Sequence, residues 1–429
     1  MKSKHIIVTV LLTGFMLTSS ILAFAQSNSS NNNESKAQVQ GDIYGQVRVI
    51  GDVDGDGKKD LVFGATDGKI HIYSSGSGQE IVRPPYWPRQ TGGPIMTSVE
   101  VVQGSNGTEI IAASMDGKVY CLDSMSKTKW VAQIGGKIES PELAVGKNVY
   151  VGTSQGKIAS IDTKNGEINW ITSSSSGITG NVETVELSNG TEAIICRDKG
   201  SRLNVLTESG TDYGGWPKYL NETNGEWGFD ASAADFDGDG NKEIYTTSKQ
   251  GEMTIWNSRG EVIKKFGVGG KGSHGAPIIA DIDGDGKNEI VVAGYKDSVS
   301  VYDTNGKIKK GWPFTVADQS IYSRPVVMDI DGDGKLDIIY TAIDPHGKKE
   351  ESGFVMALGL DGRPLTGYPK YVGRVTAAPT FADLNGDGKL EMIVSGGIGY
   401  TGKQINIFPT EARSRVRFVV FDQETSYYK

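Results

Sequence analysis

The sequence predicts an all-β protein, a β-propeller of eight four-stranded blades, with seven blades as the alternative. Two observations predict this fold. An acidic loop recurs in the C-terminal half at intervals of 46, 48 and 54 residues, and short β-branched runs bounded by glycine flank each copy. Four strands in a unit of about 47 residues, without a helical window, are typical of a propeller blade, whereas a β-solenoid has shorter repeats.

The recurring loop has the pattern Asp-x-Asp-Gly-Asp-Gly-x-x-Asp/Glu, with Asn at the third place of its last copy. Oxygen-bearing side chains occupy positions 1, 3, 5 and 9, the glycine at position 6 permits a sharp turn, and position 7 can offer its backbone carbonyl. Such an all-oxygen cage suits calcium. We therefore predict up to five calcium ions (Ca2+), held by Asp52, Asp54, Asp56, Lys58 and Asp60; by Asp235, Asp237, Asp239, Asn241 and Glu243; by Asp281, Asp283, Asp285, Lys287 and Glu289; by Asp329, Asp331, Asp333, Lys335 and Asp337; and by Asp383, Asn385, Asp387, Lys389 and Glu391.

These loops differ from the helical calcium loop known as the EF-hand. That loop needs a glutamate at position 12 and a helix on each side. Position 12 here is Phe63, Thr246, Val292, Tyr340 or Val394, and the flanking runs have the composition of strands. No cysteine or histidine lies in the loops, which disfavours zinc and copper. Metal-free Asp-Gly turns would explain one copy, but five copies in one register favour a cation held in a β-hairpin.

The spacing also predicts units that have lost the metal pattern. The first two loops begin 183 residues apart, about four unit lengths, so three further units should lie between them. We place their hairpins at residues 98–111, 143–150 and 184–195. In the first of these, valine, glutamine and serine stand where the acids at positions 1, 3 and 5 would be, while Glu109 keeps position 9.

The N-terminus predicts export. Lys2 and Lys4 precede an apolar run that ends in Ala-Phe-Ala, which is typical of a secretory signal cleaved before Gln26, with an uncleaved membrane anchor as the alternative. We expect no other membrane span and a secreted, extracellular protein. The predicted organisation is a signal peptide at 1–25, a disordered Ser/Asn-rich linker at 26–40 and the propeller at 41–429.

The charge distribution supports calcium as a stabilising ligand. The chain carries a formal net charge of −8, which becomes −10 without the signal, and the five loops hold 19 of its carboxylates. Five divalent ions would bring the protein close to neutrality, and so acidic a chain is a poor partner for nucleic acid. The two cysteines, Cys121 and Cys196, fall in different repeats and are predicted to be buried thiols.

An aromatic residue followed by proline recurs near the end of several units. It is found at Trp87, Trp216, Trp312 and Tyr368. Such a ring could stack on a sugar, but a large apolar side chain repeated at a fixed joint more often packs between blades. We therefore predict that these rings hold neighbouring blades together.

The loops, together with a preceding Pro-x-x-x-Asp at Pro277–Asp281 and Pro325–Asp329, resemble the FG-GAP/VCBS repeat family. That family includes the calcium-loop blades of integrin α-subunit propellers and many secreted bacterial proteins, and the resemblance covers 41–429. The units around 149–153 and 162–170 are more similar to the quinoprotein-type propeller repeat, in which a tryptophan docks adjacent blades. A quinone cofactor is not implied, because the sequence has no adjacent cysteine pair.

The calcium loops should all lie on one face of the propeller, since they join the first two strands of a blade. A ligand is then expected on the opposite face, which is lined by residues before each inner strand and by the loops between second and third strands. Long loops are predicted at 342–353 and 396–403. The candidate ligand-binding residues are Trp227, His274, Tyr322, Arg324, His346, Arg374 and Tyr400, each of which could instead be a solvated side chain.

The sequence favours a monomeric binding or adhesion module for an extracellular glycan or protein. No nucleophile elbow, zinc-protease or phosphate-loop motif is present, so we assign no catalytic residues. Two alternatives remain. Rhamnogalacturonan lyases are similar calcium-bearing propellers, which makes a polysaccharide lyase possible, with His274 as its base. A structural component of a surface assembly is the other.

Overall fold

A computed structural model describes residues 35–38, 41–104, 107–187, 190–220, 230–269, 272–294, 296–344, 352–397 and 404–413. Within these ranges the chain forms 32 strands. Nothing in the same ranges is a helix with the length and apolar character needed to cross a membrane. The predicted signal at 1–25 lies outside the described residues.

The strands form eight antiparallel blades, which confirms the predicted fold and its blade number. The first strand, Ser35–Gln38 (β1), stands apart from blade 1. Blades 1 to 4 then follow in chain order: Arg48–Ile50, Asp60–Gly64, Lys69–Tyr73 and Arg89–Gln90 (β2–β5); Glu100–Gly104, Gly107–Ala113, Lys118–Asp123 and Thr128–Gln133 (β6–β9); Leu143–Val145, Asn148–Gly152, Lys157–Asp162 and Ile168–Ser173 (β10–β13); Ile178–Glu186, Glu192–Asp198, Arg202–Thr207 and Lys218–Tyr219 (β14–β17).

Blades 5 to 8 continue the same order of four strands. They are Ala231–Ala234, Glu243–Thr247, Glu252–Trp256 and Val262–Gly267 (β18–β21); Ile278–Ala280, Glu289–Ala293, Lys296–Asp303 and Phe314–Ser320 (β22–β25); Val326–Met328, Asp337–Ile343, Gly353–Leu358 and Lys370–Tyr371 (β26–β29); and Thr380–Ala382, Lys389–Gly396 and Gln404–Arg413 (β30–β32). Each metal-type loop joins the first and second strands of its blade, as predicted.

The eighth blade is completed from the other end of the chain. Strand β1 pairs antiparallel with β32, in a register that runs from Ser35 opposite Ile407 to Gln38 opposite Gln404. Residues 35–38 therefore belong to the propeller, although they lie in the segment that we expected to be a disordered linker. Main-chain hydrogen bonds to an exposed strand edge need little from the side chains, which explains why composition did not reveal this strand.

Apolar side chains pack between neighbouring blades all the way around the ring. Eight buried clusters each draw on two consecutive blades. One of them packs Leu61 and Phe63 of blade 1 against Leu384 and Ile393 of blade 8, so the ring is closed by core packing as well as by β1. Second strands such as β3 are buried throughout, whereas the outer strand β21 alternates between exposed and half-buried residues.

Tryptophan side chains fasten each of several blades to the next. The indole nitrogens donate to turn carbonyls of the following blade: Trp87 to Ser124 at 3.0 Å, Trp130 to Thr163 at 2.8 Å, Trp170 to Glu208 at 2.6 Å, Trp216 to Ser258 at 2.9 Å and Trp312 to Leu360 at 3.2 Å. In blade 5 the Nζ of Lys264 makes the equivalent bond to Thr304, at 2.6 Å. The interpretation of the aromatic-proline motif as a packing element is confirmed at its three tryptophans, and Tyr368 also packs against the interblade core.

Candidate metal centres and the opposite face

The five acidic loops share one backbone geometry, set by the carboxylate at position 1. In blade 7, Asp329 accepts hydrogen bonds from the backbone nitrogens of Gly332 at 2.7 Å and Gly334 at 3.0 Å. Both glycines have positive φ, 77° and 88°, a conformation that a side chain would strain. The aspartate thus folds the loop around itself, and the two glycines are required by the turn.

The acid at position 9 closes each loop. One of its oxygens accepts a hydrogen bond from the backbone nitrogen at position 2, at 2.6 to 3.1 Å in the five copies. In blade 1 the other oxygen, Oδ1 of Asp60, is buried and has no hydrogen-bond partner among the described residues. A buried carboxylate oxygen left in this way is costly unless a cation binds it.

The acids at positions 1, 3 and 5 converge in four of the loops. In each triad, one oxygen per residue lies within 4.8 Å of the others; the triads are Asp52/Asp54/Asp56, Asp235/Asp237/Asp239, Asp281/Asp283/Asp285 and Asp329/Asp331/Asp333. In the fifth loop the amide nitrogen of Asn385 donates to Asp387 at 3.2 Å and to Glu391 at 3.0 Å. The atoms that these side chains offer to a metal are all oxygens, so the residues fit a hard divalent ion such as calcium.

Electrostatics in the loops also favour a bound cation. Burial, together with the neighbouring aspartates, raises the pKa of Asp60 to about 6 and that of Asp337 to about 7. The pKa of Glu243 in blade 5 is raised to about 7 for the same reasons. Negative charge is therefore crowded where the loops close, and a divalent ion would relieve that repulsion.

On the opposite face the structure brings together two of the predicted ligand residues. The rings of His274 and Tyr322 stack with centroids 5.4 Å apart and planes 24° apart, and both are half-buried. Arg374 is also half-buried, and its backbone nitrogen donates to Gly397. Trp227, His346 and Tyr400 lie outside the described residues, so their place in this surface stays a prediction.

Arg324 forms an internal ion pair, and its part in ligand binding stays a prediction. Its guanidinium forms a 3.2 Å ion pair with Glu183, and each side chain is only 10% exposed. It also donates to the carbonyl of Pro277 at 3.1 Å. Because Glu183 belongs to blade 4 and Arg324 precedes the inner strand of blade 7, the pair braces the centre of the ring.

Sequence reasoning missed two buried carboxyl groups at the inner strands, Glu142 directly before β10 and Glu183 within β14. A third carboxyl group, the half-buried Asp230, lies directly before β18. Burial raises the pKa of Glu142 to about 8 and that of Asp230 to about 7. Asp230 accepts from the backbone nitrogen of Asn181 at 2.9 Å and from its side-chain amide at 3.0 Å. No local motif marks these residues; their only signal is an acid next to an apolar inner-strand run.

Comparison with known families agrees with both resemblances. A model of the FG-GAP-like repeat matches residues 281–340, from the blade 6 loop into blade 7. A model described as outer membrane protein assembly factor BamB matches residues 66–212, which include the units similar to quinoprotein-type repeats. A search of curated proteins finds no match for the chain.

Several solved structures share the fold at low sequence identity. The Vibrio cholerae biofilm matrix protein Bap1 has a TM-score of 0.62 at 12% identity, over 88% of this chain and 91% of that one. Saccharomyces cerevisiae Sqt1 has a TM-score of 0.61 at 15% identity, over 89% and 99%. The computationally designed protein Ika8 has a TM-score of 0.55 at 13% identity, over 87% and 97%. The chain is thus similar to β-propellers of low sequence identity, and its residues 281–340 match the FG-GAP-like repeat.

Proposed function

We propose that this protein is secreted and that its propeller, stabilised by up to five calcium ions, is a binding or adhesion module for an extracellular glycan or protein. The observation that carries the proposal is the convergence of three aspartate side chains in each of four hairpin loops. Extracellular calcium is abundant enough to fill even weak sites of this kind.

The placement of the acidic loops and of the stacked aromatic rings on opposite faces supports a binding role. The acidic loops all join first and second strands, so their ions would stabilise the ring from one side. The stacked rings of His274 and Tyr322 lie on the other side and offer an aromatic surface, of the kind that stacks on sugars or packs against a protein partner. The brace between Arg324 and Glu183 keeps the underlying platform rigid.

The N-terminal sequence and one fold relative support an extracellular setting. Residues 1–25 have the composition of a secretory signal. The relative from V. cholerae is a biofilm matrix protein, and we infer a comparable extracellular environment for this chain.

The proposal is tested by measuring saturable binding of the mature protein to immobilised extracellular polysaccharides and matrix proteins, with calcium and with a chelator. We expect retention in calcium that Tyr322→Ala weakens at least about ten-fold. Arg363→Ala is the matched control, because this side chain is 86% exposed on a turn between third and fourth strands and should not affect binding.

Two results would contradict the proposal. One is equal retention of the wild type and Tyr322→Ala on every ligand that binds. The other is release of an unsaturated, ultraviolet-absorbing product from a pectic polymer, abolished by His274→Ala, which would establish the lyase alternative.

A further inference from the structure

A lysine side chain from the turn between the third and fourth strands of blade 6 reaches into the acidic loop of that blade. The Nζ of Lys309 donates to Oδ2 of Asp283 at 2.6 Å and to Oε1 of Glu289 at 2.7 Å. These two acids stand at positions 3 and 9 of the loop. The ammonium group is therefore hydrogen-bonded to two carboxylate oxygens that a calcium ion in this loop would need as ligands.

Blade 2 contains the same arrangement without a metal loop. Its hairpin keeps only the position 9 acid, Glu109, which forms an ion pair with Lys129. The two lysines are structurally equivalent. Lys309 follows Ile308, which pairs with Tyr302, just as Lys129 follows Thr128, which pairs with Leu122. In blade 2 the lysine thus neutralises the position 9 acid in a loop that lacks the acids at positions 1, 3 and 5.

Other blades have no cation at this position within the described residues. The equivalent side chains are Ile81, Asn169, Tyr213, Ile263 and Leu365 in blades 1, 3, 4, 5 and 7. Blade 6 is therefore exceptional among the described blades, because a lysine from outside its complete acidic loop bonds two of the loop acids. In blade 7 the loop's own Lys335 contacts one acid, Asp333, at 3.2 Å.

We propose that Lys309 is an intramolecular competitor of calcium, which makes the blade 6 loop a weaker, releasable site than the chemically matched loop of blade 5. The inference rests on the proposed calcium binding. Blade 5 carries the same four acids, Asp235, Asp237, Asp239 and Glu243, but has Ile263 in place of the lysine.

Competition follows from the shared oxygens. Calcium binds carboxylate oxygens at about 2.3 to 2.6 Å, so an ion bound to Asp283 and Glu289 would lie close to the ammonium, and the two positive charges would repel. A cleft of about 480 Å³ beside the loop, lined in part by Asp303 and Asn305, gives the lysine side chain room to withdraw. Calcium binding at blade 6 is thus coupled to displacement of Lys309.

The test counts bound ions by native mass spectrometry across a calcium titration of the full-length mature protein. We compare the wild type with Lys309→Met and with Lys310→Met. The second variant removes the same charge from the next residue, which is exposed and makes no ion pair with a carboxylate among the described residues. We expect Lys309→Met to lower the calcium concentration that half-fills one site by at least about ten-fold, with less than about two-fold change for Lys310→Met.

The reciprocal variant and the melting temperature separate this role from a structural one. Ile263→Lys should raise the half-filling concentration of one site. In chelator, Lys309→Met should melt below the wild type because the loop loses its ammonium, while its calcium-induced gain in melting temperature should be larger. Unchanged or weakened calcium binding by Lys309→Met would overturn the inference and leave the proposed function intact, whereas a wild type that binds no calcium would overturn both.

Discussion

Gly210 lies at the contact between blades 3 and 4, where a single added methyl group should destabilise the docking of the two blades. It lies in the turn between the third and fourth strands of blade 4, beneath the ring of Trp170 from blade 3. Its φ is +79°, and a Cβ added there would lie 2.4 Å from Cδ2 of that ring. The same ring donates its indole N–H to Glu208 at 2.6 Å, so it cannot move away without losing the bond that docks the blades.

The expected cost of Gly210→Ala has two parts. A non-glycine residue in the left-handed region costs about 1–2 kcal/mol. Forcing a methyl group into a packed contact costs about 1–3 kcal/mol more. We therefore expect a loss of about 2–5 kcal/mol in the free energy of unfolding, seen as a lower melting temperature by circular dichroism in saturating calcium.

A double-variant cycle checks that the ring is the cause. In a Trp170→Ala background the contact is gone, so Gly210→Ala should cost only about 1–2 kcal/mol there. Gly214→Ala is the matched control, because that glycine lies four residues away with no atom within 4 Å of the added Cβ. Equal costs of Gly210→Ala in both backgrounds, or a wild-type melting temperature for the single variant, would refute the reasoning.

Three further predictions concern buried and loop carboxylates. Because burial raises the pKa of Glu142 to about 8, its stabilising contribution is complete below pH 4.5 and is lost as the pH rises to about 8; Glu142→Gln should therefore melt above the wild type at pH 9 but not at pH 5. Glu183→Ala should cost about 3–5 kcal/mol by removing the carboxylate that forms an ion pair with the largely buried guanidinium of Arg324, and adding Arg324→Ala should restore part of that loss in a chemical denaturation series. Asn385→Asp replaces an amide with a fourth carboxylate and should tighten calcium binding at blade 8, measured by calorimetric titration; an unchanged affinity would show that this position contributes no ligand.

Local pattern was enough to predict most of the fold and the acidic loops. The loop spacing revealed the units, and the alternation of short apolar runs revealed their strands. Even the decayed hairpin at residues 98–111 was found, although its loop is shorter than the acidic ones: Glu109 pairs with Val102 there, whereas Glu289 pairs with Ala280 in blade 6. The docking role of Trp170 followed from the resemblance of its unit to the quinoprotein-type repeat.

Features that depend on ring closure were beyond the sequence. Strand β1 pairs with β32 through backbone groups, which leave no side-chain pattern. The partners Glu183 and Arg324 are 141 residues apart, and only the closed ring brings them together. Lys309 follows its acidic loop by 20 residues, so the loop motif alone gives no sign of it. In each case the decisive contact is non-local.

The most direct test of calcium as a structural ligand is the melting temperature of the mature protein in millimolar calcium against the same protein in chelator. When the calcium concentration is about 100 times the dissociation constant of a site, filling that site raises the free energy of unfolding by about 2.7 kcal/mol. Several filled loops should therefore raise the melting temperature by at least about 5 °C, and magnesium at equal concentration should raise it less. A shift in melting temperature of about one degree or less would contradict the account, because the converging aspartates would then belong to turns that bind no cation.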